Sequence, residues 1–310
     1  MSTLALKGPY WVAVRQHRRV LRAVAGALTA GLVAVVVLRL WANSPDAAGR
    51  YVTGPNHGYD LLRLCVQYAG AGLRFLPPLV GAFVAGPMLA RELESGTWRL
   101  ALTQSTTPRA WLGSKVLVAA SVTVLGSAAL VGVYRLGWAR VSGTYWLYWH
   151  DQGPYEASGP VLVASCLLGV AVGALVGQLI RRTLAAMAVT GLVTGLVLLA
   201  LGSVRWSFLA VETASMPLSG STAQLLPPSA YLTDAGVLTT TGERLPEYTC
   251  FAWDPEVGAC KAVTNVTARY ADFHPLSHYW PTQLLESGIL LALTAALLCA
   301  AFRLLRARRG

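Results

Sequence analysis

Charged residues are scarce in this sequence. Asp, Glu, Lys and Arg make up 13% of the 310 residues and 55% are hydrophobic. A soluble domain carries about 25% charge, so a soluble globular protein of this size is excluded. Acids are scarcer still, 14 against 25 basic residues, and none falls in the middle of a long apolar run. A proton-coupled carrier needs a titratable relay at that depth, so that class is excluded too. The phosphate-cradling GxxxxGK[ST] loop is missing, as are HExxH and a serine nucleophile elbow. No ATPase or hydrolase chemistry is therefore expected on this chain, and no catalytic residue, metal or cofactor of its own.

The surplus of basic residues gives a net charge of +11, which would ordinarily suggest nucleic acid. Here the basic residues cluster beside apolar runs, the pattern of a membrane protein, and nucleic acid is not an expected partner. Residues 1–22 are basic and suit an interfacial helix. Six apolar runs follow: Ala23–Trp41, Leu73–Ala90, Leu117–Trp138, Pro160–Ile180, Leu184–Val204 and Gln283–Phe302. Pro77 and Pro78 fall in the first turns of the second run, where missing amides cost least. Residues 42–72 read as external, with Leu61, Cys65, Tyr68 and Gly72 on one helical face.

Residues 205–282 form a long loop before the last run. The expected fold is an all-α integral membrane protein of six transmembrane helices, with that loop external between spans five and six. Lys and Arg in the short segments number fifteen on one side and six on the other. The rule that basic loops stay inside puts both termini and the 91–115 loop in the cytoplasm.

That loop, RELESGTWRLALTQSTTPRAWLGSK, is the densest polar stretch between two spans. Its first half reads as a short helix with Glu92 and Glu94 near the start, offsetting the macrodipole, and broken at Gly96 and Thr97. A second turn is capped in the Ser105-Thr106-Thr107 cluster and opened by Pro108. Arg109, Trp111 and Lys115 lead into the next run.

Glu92-x-Glu94-x-Gly96-Thr97, followed by Pro108-Arg109 and Lys115, resembles the cytoplasmic loop of ABC-2 type transporter permeases. The six-span, single-domain permeases of actinobacteria are among these. HPLSHYWPTQLLESGILL, from His274 to Leu291, is similar to the segment entering their last span. The resemblance implies the transmembrane domain of a type-2 ABC exporter in a bacterial cell membrane. It also implies a second permease copy, and separate ATP-binding subunits that hold the ATP and Mg. The 91–115 elbow would then be the coupling element: Arg91, Glu92, Glu94, Gly96 and Thr97 seat it in a groove of the ATPase. Arg109 and Lys115 anchor its return.

Other features leave alternatives open. Gly169, Gly173 and Gly177 in the fourth run and Gly191 and Gly195 in the fifth let helices approach closely in lipid, within one subunit or at a dimer seam. Glu286 is the one acid inside a run. It is either a solvated end-of-helix residue or, with Gln283 at the mouth of the same span, part of a substrate path. Cys250 and Cys260 share the long loop across an Asp254-Pro255 turn and suit a disulfide outside the membrane; two free thiols, or pairing with Cys65, are the alternatives. His274 and His278 are four apart, which could suggest a metal pair, but two imidazoles without a third ligand are weak evidence for one, and an interfacial turn is expected.

Three classes of function remain. The first is the permease of an ATP-driven exporter. The second is a non-transporting membrane sensor or assembly component with a folded external loop. The third, a lipid-linked glycosyltransferase, has only Asp46 and Asp60 as external acids before span two, and they are not paired.

Overall fold

The computed structural model describes residues 18–44, 56–97, 107–218, 225–249 and 265–307. The expectations for residues 1–17 and for Cys250 and Cys260 fall outside them. The chain divides into two units, Met1–Arg205 with Gln283–Gly310, and Trp206–Thr282.

The first unit is helical. Its elements are α1 (Arg18–Ala42), α2 (His57–Leu73), α3 (Leu76–Val80), a π-helical turn (Gly81–Ala85), α4 (Gly86–Glu94) and α5 (Pro108–Val141). After these come α6 (Gln152–Ala157), α7 (Pro160–Ile180), α8 (Thr183–Val204) and α9 (Tyr279–Ala307), the last of which begins in the second unit. Among the described residues, five helices are long and apolar enough to cross a membrane: those of Val24–Ala42, Pro108–Val141, Pro160–Ile180, Thr183–Ser207 and Leu276–Ala307. A sixth span exists if the bent pair His57–Leu73 and Leu76–Glu94 counts as one.

That bend, 49°, has a local cause. Pro77 and Pro78 lack amide hydrogens, so no helix can run through them from α2, and a new one starts at Leu76 with the prolines in its first turn. The Phe75 amide donates back to the Gly72 carbonyl at 3.0 Å and closes the turn. α2 is more than a surface helix. Gly58, Leu62, Val66 and Gly70 are buried along one face, and Leu62 and Val66 join Ala42, Tyr134 and Val141 in a core cluster. Leu61, Cys65, Tyr68 and Gly72 form the exposed face.

α7 is the hub. Fifteen of its 21 residues are buried. It packs on α3, the π turn and α4 along a seam of small residues. A Cβ on Gly169 would stand 2.8 Å from the Pro77 carbonyl oxygen, and one on Gly173 would run into Ala85. Gly177 meets the backbone of Gly86 and Ala90. Side chains at these points would push the helices apart, so contact this close needs glycine. Gly191 of α8 approaches Ala82 in the same region, whereas a Cβ on Gly195 would meet nothing within 4 Å.

The second unit corrects the all-α expectation. Trp206–Thr282 contains a four-stranded antiparallel sheet in the order β1-β4-β2-β3. Its strands are β1 (Glu212–Pro217), β2 (Tyr231–Thr239), β3 (Arg244–Pro246) and β4 (Val266–His274). Its central acid is satisfied rather than solvated. Asp272, buried on β4, accepts from Arg244 Nη1 at 2.6 Å and from the Thr213 hydroxyl. Arg244 also lies over the Tyr270 ring at 4.7 Å, and the Tyr270 hydroxyl donates to Asp234 at 3.0 Å. These contacts raise the pKa of Arg244 further, the Asp272 hydrogen bond contributing most.

Candidate functional site

The elbow differs from its sequence reading in one respect that changes its chemistry. Glu92 and Glu94 occupy the last turn of α4, not the start of a helix. Acids there oppose the macrodipole instead of offsetting it, so their presence needs another cause, and the side chains supply it. Glu92 accepts from the Trp111 indole Nε1 at 3.1 Å and from Lys115 Nζ, both on α5. Glu94 accepts from the backbone amide of Thr183 at 2.9 Å and from the Thr183 hydroxyl, at the first turn of α8. The two acids tie the end of α4 to two other spans.

The helix termini at this end follow ordinary rules. Gly96 has φ of 73°, and a left-handed residue just past the last turn suits glycine. α5 opens with Thr107 as N-cap, its hydroxyl accepting from the Ala110 amide at 3.2 Å, and with Pro108 at the first position. Leu89, Trp111, Leu112, Val116 and Ala174 form a core cluster here, with Leu298, Phe302 and Leu305 of α9 against it. Arg91, Thr97, Arg109, Arg181, Arg182, Arg303 and Arg306 are exposed around this same end. Arg181 closes α7 in a left-handed conformation, φ 53°, and makes the tight turn into α8. Glu92 is half-buried and Glu94 is exposed but held by Thr183, so among the described residues the exposed charges at this end are mostly basic.

The opposite end of the helical unit holds a buried charge cluster. Arg205, 4% exposed, donates from Nε to Glu286 at 2.7 Å and from Nη2 to the other Glu286 oxygen at 2.9 Å. The same Nη2 reaches Glu156 on α6 at 3.2 Å, and Glu156 accepts from Arg74 Nε at 3.0 Å. The Tyr155 hydroxyl donates to Glu286 at 3.0 Å while its ring lies 4.1 Å from the Arg205 guanidinium. Gln283 donates to the Tyr155 carbonyl at 2.6 Å and accepts from the Val161 amide at 3.3 Å. Two arginines and two glutamates thus balance, and a buried pair is tolerated only with such complete satisfaction.

Glu286 is therefore not a solvated end-of-helix residue: it is 1% exposed. Arg74, at the exit of α2, is held by Glu156. Of the two cysteines inside the spans, Cys166 is buried and Cys299 is exposed. Sequence reasoning missed Arg205 and Glu156. Arg205 sits at the junction of a span and a long loop, where a basic residue is unremarkable.

In the second unit, His274 and His278 face each other, Nδ1 to Nδ1 at 3.0 Å. Burial, and next the nearby His278, hold His274 below its ordinary pKa. Among the described residues no group of three or more His, Cys, Asp or Glu side chains is placed to hold a metal ion.

Five span-length apolar helices among the described residues, one of them the glycine-packed hub, define a multi-pass membrane protein. Residues 55–205 match the family model described as ABC-2 membrane transporter related, so this stretch of the chain is similar to that family of transport permeases. Comparison with curated proteins and with solved structures gives no match.

Proposed function

We propose that this chain is the membrane-spanning subunit of an ATP-driven exporter, powered by a separate ATP-binding subunit that docks at residues 91–115. The observation that carries the reading is the double tie at the elbow. Glu92 joins the end of α4 to Trp111 and Lys115 of α5, and Glu94 joins it to Thr183 of α8. A displacement of the elbow is passed to three spans at once. Permeases of the ABC-2 type work with an ATP-binding subunit, which fits a chain with no phosphate loop of its own.

The docking contact falls to the exposed Arg91, Thr97 and Arg109, beside Gly96. Glu92, Glu94 and Lys115 carry the movement inward. The partner's groove is accordingly acidic where it meets this face. A second permease copy completes the pathway, and lipid covers the remaining apolar faces. Both termini lie on the cytoplasmic side of a bacterial cell membrane, and residues 206–282 lie outside. Gln283 and Glu286 meet substrate only when the Arg205 cluster opens.

Affinity purification of the tagged chain from native membranes tests the reading. An ATP-binding subunit in the eluate, with ATPase activity, is expected. A histidine kinase or another non-ATPase partner in its place would favour a sensor or assembly role.

A further inference from the structure

The pair of imidazoles at the end of β4 carries chemistry that neither the family nor the exporter reading uses. His274 closes β4, and His278 lies in the 3₁₀ turn Leu276–His278 that follows. Their Nδ1 atoms stand 3.0 Å apart. The far nitrogen of each ring faces an acceptor. His274 Nε2 lies 3.1 Å from the backbone carbonyl oxygen of Trp206, and His278 Nε2 lies 3.8 Å from Glu212 Oε1 on β1.

These contacts fix the tautomers. A carbonyl oxygen only accepts, so His274 carries its hydrogen on Nε2 and presents a lone pair at Nδ1. The hydrogen between the rings then belongs to His278 Nδ1. Two Nδ1 atoms converge on one point, and a single proton holds them together. Trp206 and Tyr231 wall the site, their ring centroids 5.6 and 6.3 Å from that of His274, and they fix its orientation.

His274 already shows the outer-shell arrangement of a metal-ligating histidine, its outer N–H held by a carbonyl and its inner nitrogen bare, and His278 reaches the same arrangement once its hydrogen moves to Nε2, which faces Glu212. We propose that His274 and His278 form a two-imidazole site for a divalent transition metal of the zinc and copper class. Imidazole donors suit zinc, copper and nickel and disfavour magnesium and calcium. Tetrahedral bonds of about 2.0–2.1 Å set two nitrogens roughly 3.3–3.4 Å apart. The rings need to part by only a few tenths of an ångström. The metal takes the place of the shared proton, and His278 stays neutral because its hydrogen passes from Nδ1 to Nε2, where Glu212 Oε1 faces it.

No third His, Cys, Asp or Glu joins the pair among the described residues. The other coordination positions fall to water, as in an exchangeable rather than a closed structural site. His274 is buried and His278 keeps a partly exposed edge, which gives the ion its way in.

The test uses the full chain in detergent, purified on a tag without histidine, stripped with chelator and titrated with zinc chloride by calorimetry. Wild type is expected to bind one zinc ion at this site. His278→Gln is expected to weaken binding at least tenfold, and His57→Gln, an exposed histidine on α2, to leave it unchanged. Magnesium chloride should give no heat. Copper electron paramagnetic resonance on unaltered protein supplies a second readout that does not depend on a variant folding, and two coordinated imidazole nitrogens are expected. Absence of zinc binding, equal affinity in His278→Gln, or a copper spectrum without two nitrogens would overturn the proposal.

Discussion

Arg205 and Glu286 are joined by two parallel hydrogen bonds of 2.7 and 2.9 Å, with 4% and 1% of the residues exposed. They connect the end of α8 to the first turns of α9. Because both charges are desolvated, each depends on the other. Removing one partner of such a pair costs about 3–5 kcal/mol, while replacing both with apolar residues is often neutral. Arg205→Met and Glu286→Leu are each expected to lower the melting temperature in detergent, and the double variant to recover most of the loss. Additive losses in a double-mutant cycle would show that the two charges are not coupled.

The glycine seam of α7 makes a second prediction. Gly173→Val places methyl groups where Ala85 stands, and overpacking of this kind costs about 1–3 kcal/mol. Gly195→Ala meets no neighbour and gains up to about 1 kcal/mol of helix propensity. Thermal unfolding of the two variants should move in opposite directions. Equal behaviour would contradict the seam.

A third prediction concerns pH. His150 lies in the segment between α5 and α6, stacked on Tyr148 at 5.4 Å. Burial holds its imidazole below the ordinary value, and Asp151 at 3.9 Å opposes the shift without cancelling it. A folded pKa below the unfolded one, about 6.5, means that the unfolded chain takes up protons first on acidification. Stability from this group is complete above about pH 6.5 and is lost as pH falls through the lowered folded value. His150→Gln should flatten that slope in melts recorded from pH 8 to pH 5. An unchanged slope would assign the pH dependence to other groups.

The spans were the most legible part of the chain. α7 has the bounds of its apolar run, and α8 begins one residue before its own. Unbroken apolar stretches of that length have few other uses. The two prolines marked the start of the second run, but not that α2 packs into the bundle ahead of the bend. The sheet could not be read because its strands mix polar residues into both faces. Asp272 and His274 on β4 are buried only because Arg244, Thr213 and Trp206 reach them from distant positions.

At the elbow the residue types were legible and their roles were not. Glu92 and Glu94 look like the start of a helix until α4 is seen to run continuously into them from Gly86. The Arg205 cluster draws on α2's exit, α6, α8 and α9, four places far apart in sequence. No local pattern announces such a meeting.

The central claim is that energy enters through the elbow from another chain. ATP hydrolysis and export by the copurified complex in lipid nanodiscs and vesicles test it most directly, comparing wild type with Arg91→Glu/Arg109→Glu. Both residues are exposed, so insertion and melting temperature should be unchanged. Opposed charges at a docking contact cost on the order of 1–3 kcal/mol. The account predicts that the variant recovers several-fold less ATP-binding subunit and loses export in proportion. Full recovery of the subunit together with full ATP-driven export would contradict it.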